Sequence, residues 1–315
     1  NLLHIKSNQD KPASNTDLTG LVGSPNASCL QTVAETTWPK IKFQGQNILI
    51  GERLLDSLVF EVEETEDLRR INGLTFEFAN RSGKGAVEYA WLKDSNDSHL
   101  NMVLKSDNVA ALSKFIGFNK GFTGKNGQFN TELAWSGELS CFSLANATGR
   151  FSSRFDNGVI EQVEPGLARL IGLLSVDSIV RRLKLDLKDV TNKGMEYDRI
   201  DITGQLGKGS VSLDELKLSS PGLKVGMNGT VSLLEEQLDL RAEVTPAVGS
   251  ALPALAGIIG FANPVTGVIA YVVAKNLPFI NEDIISYDYR IRGDWLDPKI
   301  ESKGGSFLFK DPNKR

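Results

Sequence analysis

Any chemistry in this chain has to come from a short inventory of residues. The sequence holds two histidines, His4 and His99, and two cysteines, Cys29 and Cys141. No pair of them has zinc-site spacing, in which ligands arrive in couples a few residues apart. The cysteines have two fates open to them, one disulfide in an oxidising compartment or two buried thiols, and a bridge depends on a Cα separation that sequence does not supply. The acidic run Glu61–Asp67 is the densest set of hard oxygen ligands, and a solvated turn explains it better than a cation site does. Gly83-Lys84-Gly85 and Gly207-Lys208-Gly209 lack the further residues of a dinucleotide or phosphate loop, and both read as hairpin turns. There is no Gly-x-Ser-x-Gly elbow, and two histidines leave little room for a Ser-His-Asp scheme. The expectation is a chain that is not an enzyme, with no catalytic residue, no metal ligand and no cofactor.

Composition narrows the partners. The 315 residues are 41% hydrophobic with a net charge of −4, which suits a folded chain with a sizeable core and argues against general disorder. Both signs of charge are interspersed. Nothing resembles the clustered Lys/Arg stripe that a phosphate backbone attracts, so nucleic acid is excluded as the expected partner. Residues Asn1–Asn8 carry no initiator Met, basic leader or apolar leader, and Leu3 and Ile5 already alternate. The chain therefore reads as a piece of a longer protein.

The elements that must position any site are strands. Period-two alternation recurs along the chain: Leu58, Phe60 and Val62 against Glu61 and Glu63; Leu74, Phe76 and Phe78 against Thr75 and Glu77; then Val87, Tyr89 and Trp91; Leu100, Met102 and Leu104; Phe129, Leu133 and Trp135. It continues with Leu183, Leu185 and Leu187, with Leu238, Leu240 and Ala242, and with Tyr287, Tyr289 and Ile291. Such runs are strands with one apolar face. Asn72-Gly73, Gly83–Gly85, Asn126-Gly127, Asn157-Gly158, Gly207–Gly209 and Asn228-Gly229 are read as the intervening turns. Short spacing favours antiparallel hairpins over crossovers, so the expected fold is mainly β and antiparallel.

Three segments break the rhythm. Asp107–Gly117 reads as a short helix with Asp107 as N-cap, and 165–182 as a longer one whose Leu167, Leu170, Ile171 and Leu174 fall at helical spacing. From Val244 to Ala274 there is no charged residue. That exceeds the roughly 20 apolar residues of a membrane span, but Pro253, Asn263 and Pro264 divide it, so 248–278 reads as an apolar helical hairpin. Core packing and contact with a membrane interface are both open for it. A sheet of many one-sided strands must hide its apolar face, either by closing as a sandwich or barrel or by curling into an open trough. Alternation alone does not separate these.

An ordered series of residues then resembles a known family. Val163-Glu164-Pro165-Gly166-Leu167-Ala168-Arg169-Leu170-Ile171-Gly172-Leu173-Leu174-Ser175, Arg181-Arg182-Leu183-Lys184-Leu185-Asp186, Asp189-Val190, Lys193-Gly194-Met195, Tyr197-Asp198, Ser220-Pro221-Gly222 and the final Tyr289, Gly293, Trp295 and Pro298 look like the C-terminal region of the AsmA-like family, closest to its YhdP-type branch. Trp135, Gly137, Leu144, Gly149, Phe151 and Gly158 fit the same pattern. The resemblance runs from about Ser106 to Glu301, and the acidic, Asn-rich loop Lys93–Ser98 departs from it.

The resemblance implies a long curled antiparallel β-sheet forming an apolar groove of the bridge-like lipid-transfer type, with a few helices near the C-terminal end. Residues 1–160 would continue a longer groove, and 161–315 would form the AsmA-like C-terminal region. Such proteins move phospholipids between the inner and outer membranes across the periplasm, anchored in the inner membrane by a part not present here. The C-terminal end would meet the outer-membrane surface or outer-membrane proteins. The alternative is an envelope scaffold for outer-membrane biogenesis that binds partners without carrying lipid. On the transport reading the groove would be lined by Leu58, Phe60, Val62, Leu74, Phe76, Phe78, Val87, Tyr89, Trp91, Phe129, Leu133, Trp135, Leu183, Leu185, Leu187, Leu238, Leu240, Tyr287, Tyr289 and Ile291. Leu252, Leu255, Ile258, Ile259, Phe261, Val265, Val268, Ile269 and Val272 would contact membrane, and Arg169, Arg181 and Arg182 would contact lipid phosphates.

Overall fold

Alternating strands with short connections build one sheet. The computed structural model describes residues 3–5, 37–51, 53–116, 122–160, 195–221, 223–246, 285–294 and 298–307. The first strands are β1 (Leu3–Ile5), β2 (Ile41–Ile50), β3 (Arg53–Glu64), β4 (Leu68–Phe78), β5 (Gly83–Leu92) and β6 (Asp97–Ser106). A short helix α1 (Val109–Phe115) follows, then β7 (Phe122–Ser136), β8 (Thr148–Ile160), β9 (Met195–Gly207) and β10 (Ser210–Ser219). The series closes with β11 (Leu223–Ser232), β12 (Gln237–Pro246), β13 (Ile285–Asp294) and β14 (Lys299–Phe307). Among the described residues the sheet has 14 strands, and its spatial order is the sequence order from β1 to β14. β1 runs parallel to β2; from β2 onward every neighbour is antiparallel. Neither end strand pairs with the other, so the sheet forms an open β-groove and not a barrel.

Glycine serves two purposes here that local sequence does not separate. Gly207–Gly209 is a turn, with Lys208 and Gly209 at φ 47° and 84°. Asn72-Gly73 is instead a bulge inside β4, where Gly73 has φ 58° and the register with β5 slips between Ile71 and Leu74. Gly83 and Gly85 open β5 rather than forming a turn. A Cβ on them would collide with the rings of Phe78 and Phe76, so each glycine leaves space for the aromatic ring paired opposite it. The turn itself lies just before, at Ala79, Asn80 and Arg81, all with positive φ. Asn126-Gly127, Asn157-Gly158 and Asn228-Gly229 also lie within strands.

Asn157, at φ 53°, marks a bend shared by three strands. There the inward-facing positions step by three residues, from Gly124 to Gly127, Phe155 to Gly158 and Tyr197 to Ile200, at matched registers. Tyr197 ties the bend together by donating its hydroxyl to the Thr123 carbonyl at 2.7 Å. Burial, and secondarily Asp156, pushes that hydroxyl's pKa up to about 12.

The short helix forms as expected, with a different cap. Asn108, in extended conformation, accepts from the Ala111 N–H at 3.2 Å, while Asp107 spends its own N–H on the Ser82 carbonyl. An Asx side chain caps only from the residue immediately before the first helical turn, and that residue is Asn108. The readings at 165–182 and 248–278 lie outside the described residues.

Candidate functional site

Cross-strand register builds the site. On one face, residues directly opposite one another form apolar rows running nearly the whole width of the sheet. One row passes Ile48, Leu55, Phe78, Gly83, Ser106, Gly127, Phe155, Ile200, Leu218, Val225 and Val244 to position 287. The next passes Gly45, Leu58, Phe76, Gly85, Leu104, Phe129, Ser153, Ile202, Leu216, Met227, Ala242 and Tyr289. A third runs through Leu74, Val87, Met102, Thr131, Phe151, Gly204, Leu213, Gly229, Leu240 and Ile291 to Ile300, with the stacked pair Phe43 and Phe60 at its start. A fourth joins Ile41, Val62, Ile71, Tyr89, Leu100, Leu133, Gly149, Leu206, Val211, Val231 and Leu238. The polar intruder in the third row, Thr131, spends its hydroxyl on the Arg150 carbonyl at 3.0 Å. Burying such side chains stabilises by roughly 1.5–3 kcal/mol each.

The opposite face is charged and paired. Lys42 meets Glu61, Arg70 meets Glu63, Lys84 meets Glu77, Arg150 meets Glu132, Arg199 meets Asp156 and Arg154 meets Asp201, each directly across a strand pair. Within the acidic run Glu61–Asp67, Glu61, Glu63 and Glu64 are thus paired with cations of the chain. Among the described residues no group of three or more His, Cys, Asp or Glu is placed to hold a metal ion. An open depression of about 400 Å³ lies on this polar side, lined by Arg81, Lys84, Lys105, Arg154 and Asp156 among others. Its lining is mostly polar, reaching the first row only at Ser106 and Gly127, and it is not the site.

Two pieces of chain cover parts of the apolar face. α1 lies over the first two rows, with Val109 and Leu112 completely buried. The Phe115 ring stacks on Phe78 and Phe76 at centroid distances of 4.2 and 5.4 Å. Loop 137–147 covers the other margin, beyond the fourth row, where Trp91, Ser98 and Trp135 sit opposite one another. Trp135 Nε1 donates to the Glu138 carbonyl, Ser98 Oγ donates to the Gly137 carbonyl, and Phe142 packs edge-on against Trp135. Cys141, buried in this loop, is disulfide-bonded; the sequence's other cysteine, Cys29, lies outside the described residues.

Sequence reasoning missed the charge buried at that margin. Arg69 is 2% exposed and donates to both Glu64 oxygens at 2.9 and 3.2 Å and to Glu138 at 2.7 Å. Its guanidinium lies over Trp38 at 4.5 Å and Trp91 at 5.1 Å. Arg69 chiefly, helped by Lys93 and the Trp38 N–H, holds the Glu64 carboxyl down to about 2 against the opposing effect of burial. The available signal was the placing of Trp38 and Trp91 around an arginine at an inward register position.

The sequence-derived lining positions Leu58, Phe60, Val62, Leu74, Phe76, Phe78, Val87, Tyr89, Trp91, Phe129, Leu133, Trp135, Leu238, Leu240, Tyr289 and Ile291 all share the apolar face, and the backbone register puts position 287 on it as well. They differ in access. Phe78, Tyr89, Trp91 and Trp135 are buried beneath the two covers, whereas Phe60, Leu74, Val87, Phe129 and Leu133 are half-exposed. Leu183, Leu185 and Leu187, the membrane-contact set from Leu252 to Val272, and Arg169, Arg181 and Arg182 lie outside the described residues. No helix among the described residues is long and apolar enough to cross a membrane.

Comparison with known proteins adds the following. Residues 1–300 match the family model described as YhdP protein. The intermembrane phospholipid transporter YhdP of Escherichia coli K12 is 24% identical over 198 residues, which is 62% of this chain and 16% of that protein. The chain thus spans only a small part of the relative it matches. No solved structure matches.

Proposed function

The chain belongs to the YhdP protein family, and on that premise we propose that its apolar face carries phospholipid between membranes, with acyl chains on the rows and headgroups at the open edge. The observation that supports this best is the continuity of the rows. From β2 to β13 the inward positions are apolar or glycine with few exceptions, and the strands share one open sheet. A closed β-protein core ends where two layers meet, whereas a band running the width of an open sheet offers equivalent apolar surface at every strand. Non-directional contact of this kind holds a hydrocarbon chain without a deep minimum, which suits passage. The relative named above is an intermembrane phospholipid transporter. On this reading the chain works in the periplasm as part of a protein anchored in the inner membrane, its C-terminal end facing the outer membrane, and performs no catalysis.

Photo-cross-linking tests the proposal. A photoreactive side chain at Phe60, Leu74 or Leu213 is expected to capture phospholipid in cells, while the same group at the outward-facing Lys42 or Glu88 captures none. Equal capture on both faces, or none on the apolar face, overturns it.

A further inference from the structure

Strands β5–β7 are where both covers act at once. On one margin α1 reaches from the end of β6 back to β3: Arg53 Nε donates to the Phe115 carbonyl at 3.0 Å, and its guanidinium lies 6.0 Å from the Phe115 ring. The helix is seated tightly, since a Cβ on Gly127 would stand 2.7 Å from Leu112. On the other margin loop 137–147 is fixed by Glu138 to Arg69, by Gly137 to Ser98, and by backbone bonds from Lys208 and Gly209 to Ala147 and Leu144. Between them the half-exposed floor is Leu74, Val87, Leu100 and Met102. Same-face residues on a strand are about 7 Å apart, so the open third row, with the half-exposed Leu100 and Leu133 of the fourth, leaves a strip on the order of one or two hydrocarbon chains wide.

We propose that α1 and loop 137–147 form a waist in the groove, through which acyl chains pass over Val87 and Met102 while headgroups stay outside. This rests on the reading of the apolar face as a lipid path, and it adds where that path is narrowest and which residues set its width. Val87 and Met102 pair directly across β5 and β6, and one is short and the other flexible, so both leave room that a rigid ring would remove. Phe115 forms one wall: its ring closes the margin by stacking on Phe76 and Phe78, and its truncation widens the strip.

The test is lipid transfer between donor and acceptor vesicles of phosphatidylethanolamine and phosphatidylglycerol, using the full protein and variants whose thermal melts match the parent. Met102→Trp and Val87→Trp are each expected to slow transfer by about tenfold, because close-packed surroundings do not absorb an added ring. Glu88→Trp, exposed on the outward face of β5 beside Val87, is expected to stay within about twofold. Phe115→Ala is expected to restore most of the rate to Met102→Trp, a rescue that a merely structural role for residue 102 would not produce. Should tryptophan at 102 be poorly tolerated, a photoreactive residue there is expected to capture acyl chains. Full-rate transfer by Met102→Trp together with no capture at 102, in a protein that still captures lipid at Leu213, overturns the waist and leaves the transport reading standing. Absence of lipid at every inward position overturns the transport reading itself.

Discussion

Strands β4–β7 and β10–β13 present the same inward face and fill it differently. In β4–β7 the margins carry Phe76, Phe78, Tyr89, Trp91 and Trp135, roofed by α1 and loop 137–147. In β10–β13 the corresponding rows are mostly aliphatic, with Leu213, Leu216, Met227, Leu238, Leu240 and Ile291. Indole N–H and phenol O–H groups need partners when buried, and the loop and the β5–β6 hairpin supply them: Trp135 has Glu138, Trp91 has Asn96, and Tyr89 has Ser98. Aliphatic side chains demand nothing directional. The difference teaches that buried aromatics whose polar ends are hydrogen-bonded mark where the chain closes on itself, and aliphatic positions mark surface of uniform character.

The largest expected break of that contrast is at Arg69. Replacing it with Met leaves Glu64 buried without its chief partner and frees Glu138, and is expected to cost about 3–5 kcal/mol, read as a fall in denaturant midpoint. Next comes the helix seat, where Leu112→Ala is expected to cost about 2–5 kcal/mol. The half-exposed Leu213→Ala is expected to cost nearer 1 kcal/mol, since less area leaves water there. A further effect is pH-dependent. The Glu64 pKa is lowered from 4.5 to about 2 in the folded state, so its stabilisation is complete above about pH 4.5 and drains as pH falls toward 2. Glu64→Gln is expected to remove that part of the acid sensitivity, checked by denaturation at a series of acid pH values. The smallest effect is outside the groove: Arg150→Ala breaks an exposed pair with Glu132 and is expected to cost under about 1 kcal/mol.

Much of this architecture was legible because one-sided burial writes itself as period-two alternation. Leu74, Phe76 and Phe78 or Leu238, Leu240 and Ala242 need no partner strand to reveal their face. The connections were less legible. Asn-Gly and Gly-x-Gly satisfy a two-residue turn, a bulge or a ring stacked on a bare Cα equally well, and the strand opposite decides among them. So Gly207–Gly209 is a turn, Gly73 is a bulge, and Gly85 lies beneath Phe76. Arg69 was hidden for a related reason. Neighbouring arginines 69 and 70 look alike in sequence, and only the pairing of Arg69 with Trp91 puts the first inside and the second out. The roles of the covers were not legible: the helix α1 was expected, but at seven residues it does not report which rows it roofs, and loop 137–147 has no periodicity to do so.

The most direct measurement is native mass spectrometry with lipid extraction on the protein purified without detergent. The account predicts co-purified phospholipid in stoichiometric amount with mixed headgroups, lost when an inward residue such as Leu74 is made charged in a variant that still folds. A stable, lipid-free protein whose inward face takes up no phospholipid from vesicles would contradict it.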